Sequence, residues 1–145
     1  MKIIGDGGHA KVIRSLPPAE GTIIAVGRNV DRWREAENRR GEAFATLIHP
    51  DASINHPVTI GEGTVIMAGA VIQPGAIIGK HVIINTGATV DHDCKIGDFV
   101  HIAPGVHLCG AVEVGEGALV GVGSCAVPGT KIKAWSVIHA GSVIK

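Results

Sequence analysis

The chain has 145 residues, with 13 basic and 13 acidic side chains and a formal net charge of zero. That length allows one domain with a short appendage, and the charge balance advertises no field for nucleic acid or an anionic membrane surface. No stretch approaches the roughly 18 uninterrupted apolar residues of a membrane span, and no charged-then-apolar leader opens the chain, so a cytoplasmic location is expected.

From the start, Lys2-Ile3-Ile4 reads as a short buried strand. Gly5-Asp6-Gly7-Gly8-His9-Ala10 follows and satisfies the G-x-G-x-x-A form of a phosphate-cradling turn, in which glycines let backbone N–H groups approach an anion. Gly5, Gly7, Gly8 and His9 are therefore candidate anion or nucleotide contacts, on a signal that is weak alone. A helix from about His9 to Leu16 stops at Pro17-Pro18. A second strand spans Thr22 to Val26, and a charged helix over Arg28–Glu37 places Trp33 on its buried side. Arg39-Arg40 reads as solvated surface. Residues 1–47 thus form a truncated α/β, Rossmann-like segment. No acidic residue stands where a ribose would be held, about 20 residues after the glycines, so a redox cofactor is not expected.

From Ile48 to Ile144 one six-residue pattern repeats without a break. Of its 17 lead positions only Ala126 is not Ile, Leu or Val. The position four further on never exceeds Val in size, as in Ala70, Ala88, Cys94 and Ala118. A six-residue period fits neither a helix nor long alternating strands. It fits a parallel β-helix in which each hexad is a very short strand plus a corner and three hexads make one coil, over residues 48–145. Coils stacked about 4.8 Å apart make residues 18 apart neighbours along the axis. Cys94, Cys109 and Cys125 lie inside the repeat and read as reduced, small apolar residues.

The densest chemistry lies between Asn85 and Gly105, with Asn85, His92-Asp93-Cys94 and His101. Together with Gly5-Asp6-Gly7-Gly8-His9-Ala10-Lys11-Val12 and Ile48-His49-Pro50, this block resembles the hexapeptide-repeat acetyltransferases of the NeuD/PglD type, over nearly the whole chain. That family acetylates amino sugars on nucleotide carriers, or sialic acids. The resemblance implies a left-handed parallel β-helix and a homotrimer that binds acetyl-CoA between subunits. It also implies His92 as general base oriented by Asp93, with Asn85, His101 and the Gly110 backbone lining the acetyl and acceptor site. The chain departs from the family between Leu16 and Thr22, where a further strand with acidic residues is missing. Weak binding of uridine nucleotides is therefore expected.

Residue arithmetic supports the site separately. Gly110 follows His92 by 18 residues, so it sits one rung above and leaves space beside the imidazole. A base next to an accessible backbone N–H is the pair that acyl transfer needs. For the donor, Lys131, Lys133 and Lys145 are candidates to meet CoA phosphates, while Val122 and Ala140 leave a slot for the pantetheine arm. His49, His56, His81 and His139 read as surface, as does His9 unless it meets an anion; Asp91 and Asp98 read as solvated corners. One alternative is a gamma-type carbonic-anhydrase-like metal lyase using His92, His101 and His107, whose spacings of 9 and 6 give no reason for three rings to converge. The other is a non-catalytic sugar-nucleotide-binding or scaffold protein. No metal is expected, and the partners foreseen are a sugar acceptor and two further copies of the chain.

Overall fold

Two residues of strand followed by a corner, repeated from Leu47–Ile48 to Val143–Ile144, wind the chain into a three-faced prism in the computed structural model, which describes residues 1–145. The first face holds six parallel strands from Leu47–Ile48 through His101–Ile102 to Val137–Ile138. The second holds six, from Ser53–Ile54 through Thr89–Val90 to Val143–Ile144, and the third five, from Thr59–Ile60 through Lys95–Ile96 to Lys131–Ile132. Register advances by 18: His101 lies between Ile83 and Leu119, and Thr89 lies between Val71 and His107.

The lead aliphatics fill the prism. From Ile66 to Ile132 they form one buried cluster with the small residues Ala70, Ala88, Cys94 and Ala118. Each such side chain stabilises the fold by about 1.5–3 kcal/mol, an upper bound because unfolded chains already bury some apolar surface. At the open lower end nothing stacks beneath Ile48, which is 42% exposed. Hydroxyls and thiols at the small positions are buried but paired. Thr64 Oγ1 donates to Gly79 O at 2.8 Å, Ser124 Oγ to His139 O at 3.0 Å, and Cys94 Sγ to Cys109 O at 3.2 Å. Cys109 and Cys125, read as small apolar residues of the repeat, face outward and are half-buried. They occupy the alternate positions beside the inward Leu108 and Ala126.

From Gly63 onward each corner turns through one residue in the left-handed backbone region, and most carry glycine there, such as Gly87 (φ 65°) and Gly105 (φ 66°). Five do not: His81, Asp93, Phe99, Ala111 and Trp135 hold φ values of 52–60°. A side chain kept at this conformational cost suggests a role beyond turning the chain.

Before the prism, β1 (Lys2–Ile4) and β2 (Thr22–Ile24) pair in parallel, with α1 (Gly8–Ile13) and α2 (Asn29–Glu37) beside them. α1 is shorter than expected because Ser15 and Leu16 bond back three residues, to Val12 O and Ile13 O, ahead of Pro17. β2 ends before Val26, although Ala25 N still donates to Ile4 O at 2.7 Å. This small unit packs on the first face, where Ala10, Ile13, Leu16 and Ile23 meet Leu47, Val65 and Met67. The expectation for Trp33 is corrected. It is 36% exposed and meets Trp135 edge-on at 6.4 Å, whereas Arg32, one residue earlier, is 1% exposed. Arg32 and Ala36, four apart, share the inward face of α2.

Candidate active site

His92-Asp93 forms the corner between the second and third faces. Asp91 Oδ1 accepts from the His92 backbone N–H at 2.7 Å, which sets the turn. Asp93, at φ 59°, swings its carboxylate back so that His92 Nδ1 donates to Asp93 Oδ2 at 2.8 Å. That bond leaves Nε2 with its lone pair free and raises the His92 pKa above the usual 6.5. The hydrogen bond is the largest cause, and the Asp91 charge adds to it. One rung up, Gly110 lies directly against the ring: a Cβ there would stand 2.5 Å from His92 Nε2. Gly110 is buried and its N–H donates to no protein acceptor, although the neighbouring Ala111 N bonds His92 O at 2.9 Å. A free base nitrogen and a free backbone donor therefore sit side by side on an otherwise open corner, where the His92 and Asp93 side chains are exposed.

Asn85 and His101 form a second cluster, on the first face beneath the α/β unit. Thr86 N donates to Asn85 Oδ1 at 2.8 Å, which turns Asn85 Nδ2 toward His101 Nε2 at 3.1 Å. Burial first, and then the charges of Arg32 and His9, push the His101 pKa down to about 3. His9 is itself half-buried with Nε2 unpartnered, and burial followed by Arg32 lowers its pKa to about 4. Gly5, Gly7, Gly8 and His9 line a cleft of about 400 Å³ with Ala25, Val26, Gly27, Arg28 and Asp31.

The second face separates Val122 and Ala140 from His92. Val122 and Ala140 are exposed on its edge with the first face, opposite the His92 edge. Lys131 is on the third face and pairs with Glu113 at 3.3 Å, whereas the exposed Lys133 makes no ion pair. His107 is exposed on the second face, with Nδ1 2.9 Å from Thr89 Oγ1. His92, His101 and His107 thus occupy a corner and two different faces, and no three His, Cys, Asp or Glu side chains are placed to share an ion.

Two histidines read as surface are not. His81 is 4% exposed, stacked on Phe99 at 5.1 Å and edge-on to Phe44 at 4.6 Å. His9, on α1, is half-buried with its Nε2 turned away from solvent. Asp98, read as a solvated corner, accepts from Lys80 N at 2.8 Å. Sequence reasoning also missed Arg32. A charged helix gives no local sign of which cation turns inward, and the one available hint was that Ala36 lies four residues on.

The prism carries the family description Bacterial transferase hexapeptide (six repeats), matched over residues 45–74, 57–92 and 75–110. The acetyltransferase domain of PglB from Neisseria gonorrhoeae FA1090 is 34% identical, with a TM-score of 0.94 over 99% of this chain and 90% of that one. PerB from Caulobacter crescentus, solved with CoA and GDP-perosamine, is 36% identical with a TM-score of 0.93, over 99% of this chain and 87% of that one. UDP-N-acetylbacillosamine N-acetyltransferase of Bacillus subtilis (strain 168) is 43% identical over 110 residues. The match spans about half the length of that curated relative. The fold is the left-handed parallel β-helix expected from the sequence, preceded by a small α/β segment.

Proposed function

This chain belongs to the acetyl-CoA-dependent hexapeptide-repeat acetyltransferases, and we propose that it moves an acetyl group from acetyl-CoA to the amino group of a nucleotide-linked sugar, with His92 as general base. The observation that carries this reading is the His92 ring, held through Nδ1 by Asp93 while Nε2 lies over Gly110. The acceptor nitrogen attacks the thioester carbonyl carbon and gives its proton to Nε2. The oxyanion that forms takes the free N–H of Gly110. The intermediate then collapses as the C–S bond breaks, and the CoA sulfur leaves with the proton from His92. The amide and free CoA account for every atom.

Asn85 and His101 line the acceptor pocket, and the glycine-rich cleft with His9 takes the acceptor's phosphates. Val122 and Ala140 flank the pantetheine arm, and Lys133, with Lys131 once released from Glu113, meets the CoA phosphates. In one chain Asn85, His101, Val122 and Ala140 lie across the second face from His92, Lys131 lies on the third face, and the His92 corner lacks a facing wall. A homotrimer closes that gap by setting one chain's His92 edge against another's Val122 edge. The enzyme works in the cytoplasm, where its three free thiols stay reduced. The test is a screen of amino sugars, with and without a nucleotide carrier, that follows release of free CoA. Acetyl-CoA binding with no transfer to any of them would favour a non-catalytic binding role instead.

A further inference from the structure

Arg32 is the largest fully buried side chain of the molecule, and no carboxylate is among its partners. Nε donates to His81 O at 2.8 Å, and Nη1 to Val26 O at 3.0 Å and Gly27 O at 3.1 Å. Nη2 donates to Asn29 Oδ1 at 3.0 Å, to Phe99 O at 2.7 Å and, more weakly, to Val100 O at 3.4 Å. One guanidinium therefore ties the Val26–Gly27 wall of the glycine-rich cleft to the backbone that leads into His101. Carbonyl dipoles solvate its charge without neutralising it, and isolated buried charges are costly enough to be rare. Burial lowers the Arg32 pKa to about 9, which leaves it a cation at neutral pH.

The hydrogen bonds also fix the state of His101. Because the Asn85 amide spends its oxygen on Thr86 N, its NH₂ faces His101 Nε2. An NH₂ group only donates, so Nε2 must carry a lone pair and the ring proton must sit on Nδ1. A doubly protonated ring would set donor against donor. The charged and titratable groups that act on His101 are Arg32 from α2 and His9 from α1, and none is acidic. The rungs on either side present Ile83 and Leu119.

We propose that Arg32 is a positioning residue of the acceptor pocket: it locks the Phe99–His101 backbone against the Val26–Gly27 loop, and its unneutralised charge adds to burial in holding His101 neutral, in the Nδ1–H tautomer that Asn85 selects. His101 can then offer that N–H to an oxygen of the acceptor while Asn85 holds the opposite side of the ring. Arg32 touches no substrate. The proposal rests on the reading of Asn85 and His101 as the acceptor wall.

Two measurements test it on the full chain. Long-range proton–nitrogen NMR correlations of the imidazoles should show wild-type His101 as the neutral Nδ1–H form across pH 5–8. In Arg32→Met its titration should move up by about a pH unit or more, the effect expected when a nearby buried like charge is removed. In steady-state kinetics, Arg32→Lys keeps the charge but cannot reach carbonyls on three segments. It should raise the acceptor KM about tenfold or more, the weight of one or two hydrogen bonds, while kcat and the acetyl-CoA KM stay within about threefold. If Arg32→Met does not fold, the KM split in Arg32→Lys decides alone. The proposal falls if His101 titrates near 6.5 in the wild type, if a folded Arg32→Met leaves its titration unmoved, or if Arg32→Lys loses donor affinity and kcat as much as acceptor affinity. A wild-type protein that acetylates nothing would sink the proposed function, yet the NMR arm would still judge the control of His101.

Discussion

At the scale of the residue, His92 gathers the features a base needs on one corner: a partner for Nδ1, an empty side at Nε2, and a bare N–H next to it. Removing a general base costs about 10²–10⁴ in rate. His92→Ala should lower kcat by about that factor, with melting temperature and acetyl-CoA affinity near wild type because the side chain is exposed and outside the core. Its pKa direction sets the pH profile. Asp93 raises His92, and the base works only when neutral, so the acid limb of kcat/KM should lie above pH 6.5. Asp93→Asn should move that limb to lower pH and reduce kcat less than His92→Ala does. A limb that stays put in Asp93→Asn would mean another group is titrating. Gly110→Ala tests the opposite wall, since the new Cβ would force the ring off its place. It should reduce kcat with little change in stability, because the ring can swing into solvent.

At the scale of the element, the coil is the unit of stability, and its neighbours above and below decide what each residue contributes. Ile84→Ala, in the middle of the core, should cost about 2–5 kcal/mol in urea unfolding. Ile48→Ala at the open end should cost less than about 1 kcal/mol, in the range of surface changes; equal losses would contradict the stacking argument. This part of the fold was legible in the sequence because a period of six exposes itself in side-chain type: Ile60, Ile78 and Ile96 recur at every third hexad and mark out a column on one face. The stacking at the candidate site was legible for the same reason, since His92 and Gly110 are separated by one full coil. The joint between the α/β unit and the prism was not. Arg32 binds carbonyls, which every residue carries, so nothing in the sequences around His81 and Phe99 marks them as its partners. Trp33 and Arg32 are adjacent on a short helix, and only the surface that α2 lands on decides which of them turns inward.

At the scale of the whole molecule, light scattering at micromolar concentration should give three times the chain mass; a monomer would leave the His92 corner without a second wall. The joint between the two parts should also make the protein sensitive to acid. His9, His81 and His101 all lie in it, and burial is the first cause of the lowered pKa of each, to about 4, 4 and 3. Around His81, Glu62 and Asp98 pull upward while Arg32 and Lys80 push down, and burial outweighs the carboxylates. The folded pKa values lie below the ordinary 6.5 of an unfolded chain. Between those limits the unfolded state therefore binds protons that the folded state refuses. The stability this represents is fully present above pH 6.5 and is lost as pH falls toward 4. Each such proton is worth about 1.4 kcal/mol per pH unit, so three set a ceiling of about 4 kcal/mol per unit. His92 works in the opposite direction, because its raised pKa favours the folded state at low pH, but it is exposed and cannot offset three rings that are buried or half-buried. Urea unfolding at about pH 7 and pH 5 should show a loss of several kcal/mol, with amide exchange rising first at Thr22–Ala25 and at the corners of His81 and Phe99. His81→Asn, which tolerates the left-handed corner, should remove about one proton from that slope. Stability that is level from pH 7 to pH 5 would show that the three rings take up protons without leaving their places.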